Sequence, residues 1–496
     1  MMTRKKINSD WLKGLALVLL LSFSPSVGYA DWEDILSQFR PRITVREDYT
    51  NNLNLTATNK IQDYITTVNP GLTLYATDRK EASYGVNLDY MPGFVFFAHN
   101  SQDNYVSHMG TLNAWYTFDR KLTIRLSDYF LRSDEPVEAQ AGSLAPLGSQ
   151  AGSYLGAQPG SYLGGQPGYY LGAQPGAYYL GSQSGRFIYY RNTFAPSLTY
   201  QFGPEDRFDL FCVDDLYNTQ NPSGEDSRAD SITPRLTYWF NIHNGITLEY
   251  GFTYGHFQIS PDFLENRARV RYTYRFSPRI SVFGEYIFDA MNYQSSGVQV
   301  SGVSSVNAIT QTPSIGITYA FSPTLTGRAQ AGYFVQNPAG GQANTGPSFN
   351  MGLNQRTERT TYDLALQGGY VYSYFAAANL GFTKTYRAIG TITHKLASRV
   401  FLRGFASLER DEYTDVSDQT AWLWRTNGEL SYQILKWLTA SLGVTYTQNR
   451  SNQNNADYQE LRGMIRLTAG SLMGAYPGGA YPGGVFPGSA FPGSFY

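Results

Sequence analysis

The feature that most constrains this chain is an alternation of apolar and polar residues with period two, recurring from Pro41 almost to the C-terminus. Tyr84, Val86, Leu88 and Tyr90 alternate with Gly85, Asn87 and Asp89, and Ile246, Leu248, Tyr250, Phe252 and Tyr254 alternate with Thr247, Glu249, Gly251 and Thr253. Leu122, Ile124 and Leu126 repeat the pattern, as do Trp422, Trp424, Leu430, Tyr432 and Ile434. Successive side chains of a strand point to opposite faces, so each such run is a strand with one apolar and one polar surface.

A β-sandwich alternates too, and connection length separates the two architectures. Tight turns are expected at Asp78-Arg79-Lys80-Glu81, Asp119-Arg120, Gly203-Pro204-Glu205, Ile242-His243-Asn244, Ser277-Pro278, Ser322-Pro323, Thr357-Glu358, Ala397-Ser398 and Leu435-Lys436. Longer polar connections fall between them, among them Pro92 to Tyr105, Tyr217 to Asp230, Asp289 to Thr310 and Asp411 to Gln419. Alternating short and long connections are the periplasmic turns and outer loops of an outer-membrane barrel. The expected fold is therefore all-β, a transmembrane antiparallel up-and-down β-barrel over residues 41–468. About 20 strands are expected, within a range of roughly 16 to 20, in the outer membrane of a Gram-negative cell.

The N-terminus supports export. Arg4, Lys5, Lys6 and Lys13 precede an apolar run from Leu15 to Phe23, and Gly28-Tyr29-Ala30 places small residues at a cleavage site. Residues 1–30 read as a signal peptide cut between Ala30 and Asp31, with 31–40 a periplasmic segment. No other stretch is apolar enough for a membrane helix. Charged residues are only 16% of the chain, against about 25% in soluble proteins. The formal net charge of -1 gives no basic footprint for nucleic acid. Cys212 is the only cysteine, which excludes an intramolecular disulfide and a cysteine-based zinc site, and it reads as a small apolar wall residue.

Five strands end in Tyr-x-Phe just before a tight turn: Tyr116/Phe118, Tyr200/Phe202, Tyr238/Phe240, Tyr274/Phe276 and Tyr319/Phe321. The first and third residues share a face, so the ten rings are expected to form an interfacial girdle at one rim. Pro70, Pro196, Pro234 and Pro313 sit in similar strings and are expected at strand starts or bulges, since proline donates nothing to a ladder. Two tracts interrupt the pattern. Residues 133–186 hold an uncharged eight-residue repeat around Gln158-Pro159-Gly160, read as a surface loop, with stacked copies as the alternative. Residues 469–496 repeat Tyr-Pro-Gly and Phe-Pro-Gly, read as a disordered tail or a docking strip for a periplasmic partner.

No nucleophile elbow, P-loop, dinucleotide fingerprint or zinc-protease pair occurs, and His108, His243, His256 and His394 lack ligand spacing. No enzyme, metal or cofactor is expected. The constellation that stands out is Arg267, Arg269, Arg271 and Arg275 on one parity of a single strand, opposite Ala268, Val270, Tyr272, Tyr274 and Phe276. Charges on a lipid face cost about 2–4 kcal/mol each at midplane, so the arginines are assigned to the lumen. They could form an anion-selective column, or pair with Glu249 and Glu285 as a salt-bridged wall. Arg403 with Glu409, and Arg425 with Glu429, suggest similar balance.

At Arg42-Ile43-Thr44-Val45-Arg46-Glu47-Asp48-Tyr49, then Asn51-Asn52-Leu53-Asn54-Leu55 and Val68-Asn69-Pro70-Gly71, the chain resembles the type 2 β-barrel porin family associated with PEP-CTERM and exopolysaccharide loci. The stretch from Ser451-Asn452 through Asp457-Tyr458 to Arg462 resembles that family's final hairpin. The resemblance implies an outer-membrane barrel tied to envelope polysaccharide. The Gln-Pro-Gly repeats and the Pro-Gly tail depart from the family pattern. Three functions follow as expectations: a porin-like channel passing polysaccharide or small, including anionic, solutes; a surface scaffold or adhesin with a closed lumen; and an outer-membrane enzyme. The expected partners are outer-membrane lipids, the barrel-insertion machinery, exopolysaccharide and periplasmic export components.

Overall fold

The structure is a computed structural model that describes residues 38–77, 83–134, 186–221, 224–294, 307–373, 381–413, 419–452 and 457–470. The expected signal peptide with its Ala30/Asp31 cleavage site, the repeat tract and the Pro-Gly tail lie outside the described residues.

Twenty strands form one antiparallel sheet. They are β1 (Phe39–Thr50), β2 (Asp63–Thr77), β3 (Tyr84–Phe97), β4 (Tyr105–Phe118), β5 (Leu122–Ser133), β6 (Tyr189–Gln201), β7 (Arg207–Thr219), β8 (Ser227–Trp239), β9 (Asn244–Phe257) and β10 (Phe263–Ser277). The second half continues with β11 (Ile280–Tyr293), β12 (Ala308–Ser322), β13 (Leu325–Pro338), β14 (Asn344–Arg356), β15 (Thr360–Ser373), β16 (Gly381–Ala397), β17 (Val400–Tyr413), β18 (Gln419–Leu435), β19 (Leu438–Ser451) and β20 (Tyr458–Gly470). Each strand pairs with its neighbours in sequence, and β1 pairs with β20 from Arg42↔Gly470 to Thr50↔Arg462, so the sheet closes on itself. Closure leaves no sheet edge, which is what allows strands to cross a bilayer. Pairing extends two residues beyond the expected 41–468 at each end.

The tight turns among the described residues fall where the sequence placed them. Asp119 and Arg120 both take positive φ, 46° and 57°, as a tight hairpin turn requires. Several strands outrun the expected longer connections: β11 continues to Tyr293 and β17 to Tyr413. The polar residues that read as loop, such as Asp289 and Asp411, are buried inside the barrel instead. Polar character in a membrane barrel marks the inner face as readily as a loop.

The outer face carries exposed apolar side chains such as Leu88, Leu236, Leu248, Val270, Ile317, Leu364, Ile392, Leu442 and Ile465. Tyr116, Phe118, Tyr200, Phe202, Tyr238, Phe240, Phe276 and Phe321 are exposed on this face at the tight-turn rim, while Tyr274 and Tyr319 are half-buried. Within each triplet the two rings touch, with centroids 4.4 Å apart for Tyr116/Phe118 and 4.7 Å for Tyr274/Phe276. Phe276 and Phe321 are the extra residues of bulges that precede two-residue turns.

The prolines correct the expectation of bulges or strand starts. Each lies within a strand whose register stays constant, and the ladder simply opens around it. The β2–β3 pairs skip from Val68↔Phe94 to Leu72↔Tyr90 around Pro70, and the β12–β13 pairs skip from Gln311↔Val335 to Ser314↔Gly332 around Pro313. Pro196 and Pro234 do the same. The missing N–H costs a local pairing on one side and leaves the other side intact.

Candidate functional site: the barrel interior

The interior is built from the polar parity of each strand. On β9–β13 it forms a continuous layer of ion pairs. Arg267 meets Asp289 at 2.7 Å and Glu265 at 3.6 Å, Arg269 lies between Glu285 at 3.1 Å and Glu249 at 3.6 Å, and Arg271 donates to Glu285 at 2.8 Å. Gln330 on β13 donates to the second oxygen of Glu285 and to Ser314, and Arg328 stacks over Phe283. Thus Arg267, Arg269, Arg271 and Arg328 face Glu249, Glu265, Glu285 and Asp289, four charges of each sign. The three arginines of the column and their acidic partners are each at most 7% exposed.

Arg275 does not join this column. It sits at the tight-turn rim, where its guanidinium takes both oxygens of Glu205 at 2.9 and 2.7 Å and stacks on Trp239. The Arg275 hydrogen bonds hold the Glu205 carboxyl, in the β6–β7 turn, below its ordinary range. Elsewhere the partners differ from those expected: Glu409 pairs with Arg387 at 2.7 Å and Glu429 with Arg466 at 2.6 Å. Strand register decides these partners, and register is not written in the spacing along one strand.

Two further parts of the interior were not legible in the sequence. The connection at residues 51–62 folds inward, so Leu53 packs on the inner-face residues Ile65, Val95 and Phe97. Asn52 holds it there, donating to the carbonyls of Thr56 and Gln459 while Oδ1 accepts from Thr56 N–H. The Asn-Asn-Leu-Asn-Leu motif is therefore an inward-folded loop. Between the end of β5 and the start of β6, Asp134 and Arg186 form a buried pair at 2.7 Å, with Arg186 over Phe97.

The second part is a seam. Pairing between β14 and β15 stops at Phe349↔Gly368, although β14 continues with β13 to Asn344↔Gln336 and β15 continues with β16 to Ser373↔Gly381. Above the seam, Tyr370 and Phe382 share parity with the outward Leu364, Leu366 and Ile392, yet they are buried. Their rings lie 5.3 and 5.9 Å from Phe334, an inner-face residue of β13, in a cluster with Phe257, Phe263 and Met291. The Tyr370 hydroxyl approaches Thr312 of β12. The upper β15–β16 hairpin has therefore turned into the barrel and caps the ion-pair layer with an apolar cluster.

The remaining inner wall continues the charge pairing, with Arg42–Asp89, Arg191–Asp215 and Arg235–Asp209 each at 2.8 Å. On β3–β5 and β14–β15 it also carries half-buried amides, hydroxyls and an indole, Asn87, Asn113, Trp115, Ser127, Asn350 and Gln367, beside the charged Asp89, Arg125 and Asp363. Asn113 accepts from Ser127 at 3.0 Å. Among the described residues, no group of three or more His, Cys, Asp or Glu side chains could hold a metal ion.

No curated protein sequence matches the chain. Similar solved structures include the siderophore receptor PirA from Pseudomonas aeruginosa (9% identity, TM-score 0.45, 87% of this chain and 80% of that one). The FrpB iron transporter from Neisseria meningitidis matches at 8% identity and TM-score 0.48, covering 89% of this chain and 84% of that one. The outer membrane protein OpdK from Pseudomonas aeruginosa matches at 9% identity and TM-score 0.40, covering 88% and 99%. Residues 258–470, which contain β10–β20, match the family model described as "Putative beta-barrel porin 2", and the chain is a porin-like outer-membrane β-barrel.

Proposed function

We propose that this barrel is a non-enzymatic channel for hydroxyl-rich, weakly charged solutes of the saccharide class, with an upper mouth narrowed by the β15–β16 hairpin. The observation that carries the reading is a set of half-buried, uncharged inward side chains in a wall whose charges are largely paired with one another. The arginines are matched by carboxylates and packed away from water, so they offer little net field to a passing anion. The half-buried amides, hydroxyls and Trp115 pair hydrogen-bond groups with an aromatic face, the combination that suits a sugar ring. Envelope polysaccharide, suggested by the family resemblance, is the natural polymer of this class.

Liposome swelling with neutral and anionic oligosaccharides of matched size tests the proposal. Faster entry of the neutral series, slowed by Trp115→Ala and Asn113→Ala, is the expected result. Preferential entry of the anionic series would overturn it. A closed scaffold is the second reading, supported by the inward hairpin and the inward 51–62 loop. It predicts no swelling with either series.

A further inference from the structure

Where the β14–β15 ladder stops, at Phe349↔Gly368, the local residues are those of a pivot. β15 carries Gly368-Gly369 at this point, two residues with the widest backbone freedom and no side chain to pack. Phe349 of β14 and Tyr386 of β16 stack over Gly368 with centroids 6.2 Å apart, and a Cβ on Gly368 would collide with both rings. The strand therefore turns about a point that no side chain of its own obstructs.

The edge left behind on β14 is adapted to standing open. Arg356 N–H donates to the Thr324 carbonyl, so every second residue back from Arg356 faces β13, and Thr345 and Pro347 face the seam. Pro347 is nine residues above Arg356, about 22 Å up an apolar band of about 25 Å at roughly 2.5 Å of climb per residue. Proline has no N–H, so the open edge has one donor fewer to leave bare beside lipid.

The same hairpin also fits the wall. Extending the β14–β15 register beyond Phe349↔Gly368 sets Pro347 opposite Tyr370 and Asn344 opposite Ser373. β15 keeps its register with β16 up to Ser373↔Gly381, and β16 keeps its own with β17 up to Thr383↔Tyr413, so only the β14 side has to open or close. In the wall, Tyr370 and Phe382 would face lipid beside Leu364, Leu366 and Ile392; turned in, they face Phe334 and Met291. Lipid tails and the inner cluster are both apolar, so exchanging one for the other changes the rings' surroundings little. The inward position gives up the ladder to β14 and gains the ring contacts with Phe334. We propose that the upper β15–β16 hairpin is a hinged flap with two positions. Turned in, it narrows the mouth and leaves a seam in the wall; zipped to β14, it closes the wall and widens the mouth. The flap deepens the channel reading, on which only its effect on passage rests.

The experiment is disulfide trapping of the full chain in outer-membrane vesicles, in a Cys212→Ser background. Asn344→Cys/Ser373→Cys probes the zipped position. In that register the two form a non-hydrogen-bonded row, whose Cα atoms lie about 4.5 Å apart, within disulfide reach. Asn350→Cys/Gln367→Cys occupies an equivalent row below the seam and is the fixed reference. With copper phenanthroline the reference should close at once and the upper pair completely but more slowly. Closing the upper pair should speed liposome swelling with neutral oligosaccharides, and dithiothreitol should reverse both effects. An upper pair that never closes while the reference does overturns the proposal, because the hairpin is then a fixed plug. Closure as fast as the reference also overturns it, because the wall is then permanently zipped, as does closure that leaves a measurable swelling rate unchanged. Slow, complete closure with no swelling in either redox state upholds the two positions and refutes the channel.

Discussion

Arg269 is the residue on which the inner layer depends most. It is 2% exposed and lies between two carboxylates, so removing its charge leaves Glu249 and Glu285 short of a partner in a low-dielectric interior. Breaking a buried pair from one side costs about 3–5 kcal/mol. Arg269→Leu should therefore lower unfolding stability in urea by about that amount, and Arg269→Leu/Glu249→Leu should recover part of it. Equal destabilisation by the single and double variants would contradict this pairing. At the opposite sign, Arg120 holds φ of 57° in the β4–β5 turn, a conformation costing a non-glycine residue about 1 kcal/mol. Arg120→Gly should raise stability by up to about that much in the same urea titration.

The rim pair titrates with a defined sign. Glu205 has a lowered folded-state pKa because Arg275 hydrogen-bonds its carboxylate. Its contribution is present above the ordinary carboxylate value and is lost as pH falls through the lowered one. Hydrogen-exchange protection of the β6–β7 turn should persist down through the ordinary range and fall only below it. Loss of protection already near neutral pH would contradict the assignment.

At the scale of elements, the sequence resolved strands and turns well because period two survives whatever the strand packs against. Register, by contrast, depends on pairs of strands, which is why Glu409 took Arg387 as its partner and not Arg403. The β15–β16 hairpin was hidden for a sharper reason. Tyr370 and Phe382 continue the parity of Leu364, Leu366 and Ile392, so on the chain they read as lipid-facing. Only the end of the β14–β15 ladder at Phe349↔Gly368 reveals that the strands roll inward above it. Tyr370→Ala/Phe382→Ala removes two rings from the cap and should release the hairpin. Slowed-exchange amides of residues 369–373 and 381–385 should then lose protection while β10 and β11 keep theirs. Unchanged protection would mean that the cap does not hold the hairpin.

For the whole molecule, closure of β1 on β20, the apolar belt and the family match make this a porin-like outer-membrane barrel. Whether it conducts, and how selectively, turns on two things: the neutralised arginine column and the inward hairpin. Single-channel recording of the mature chain in a planar bilayer, with reversal potentials under a salt gradient, addresses both at once. The account predicts small openings with weak ion selectivity, enlarged in Tyr370→Ala/Phe382→Ala without a change of selectivity. Large, strongly anion-selective openings in the unmodified chain, indifferent to that double substitution, would contradict it.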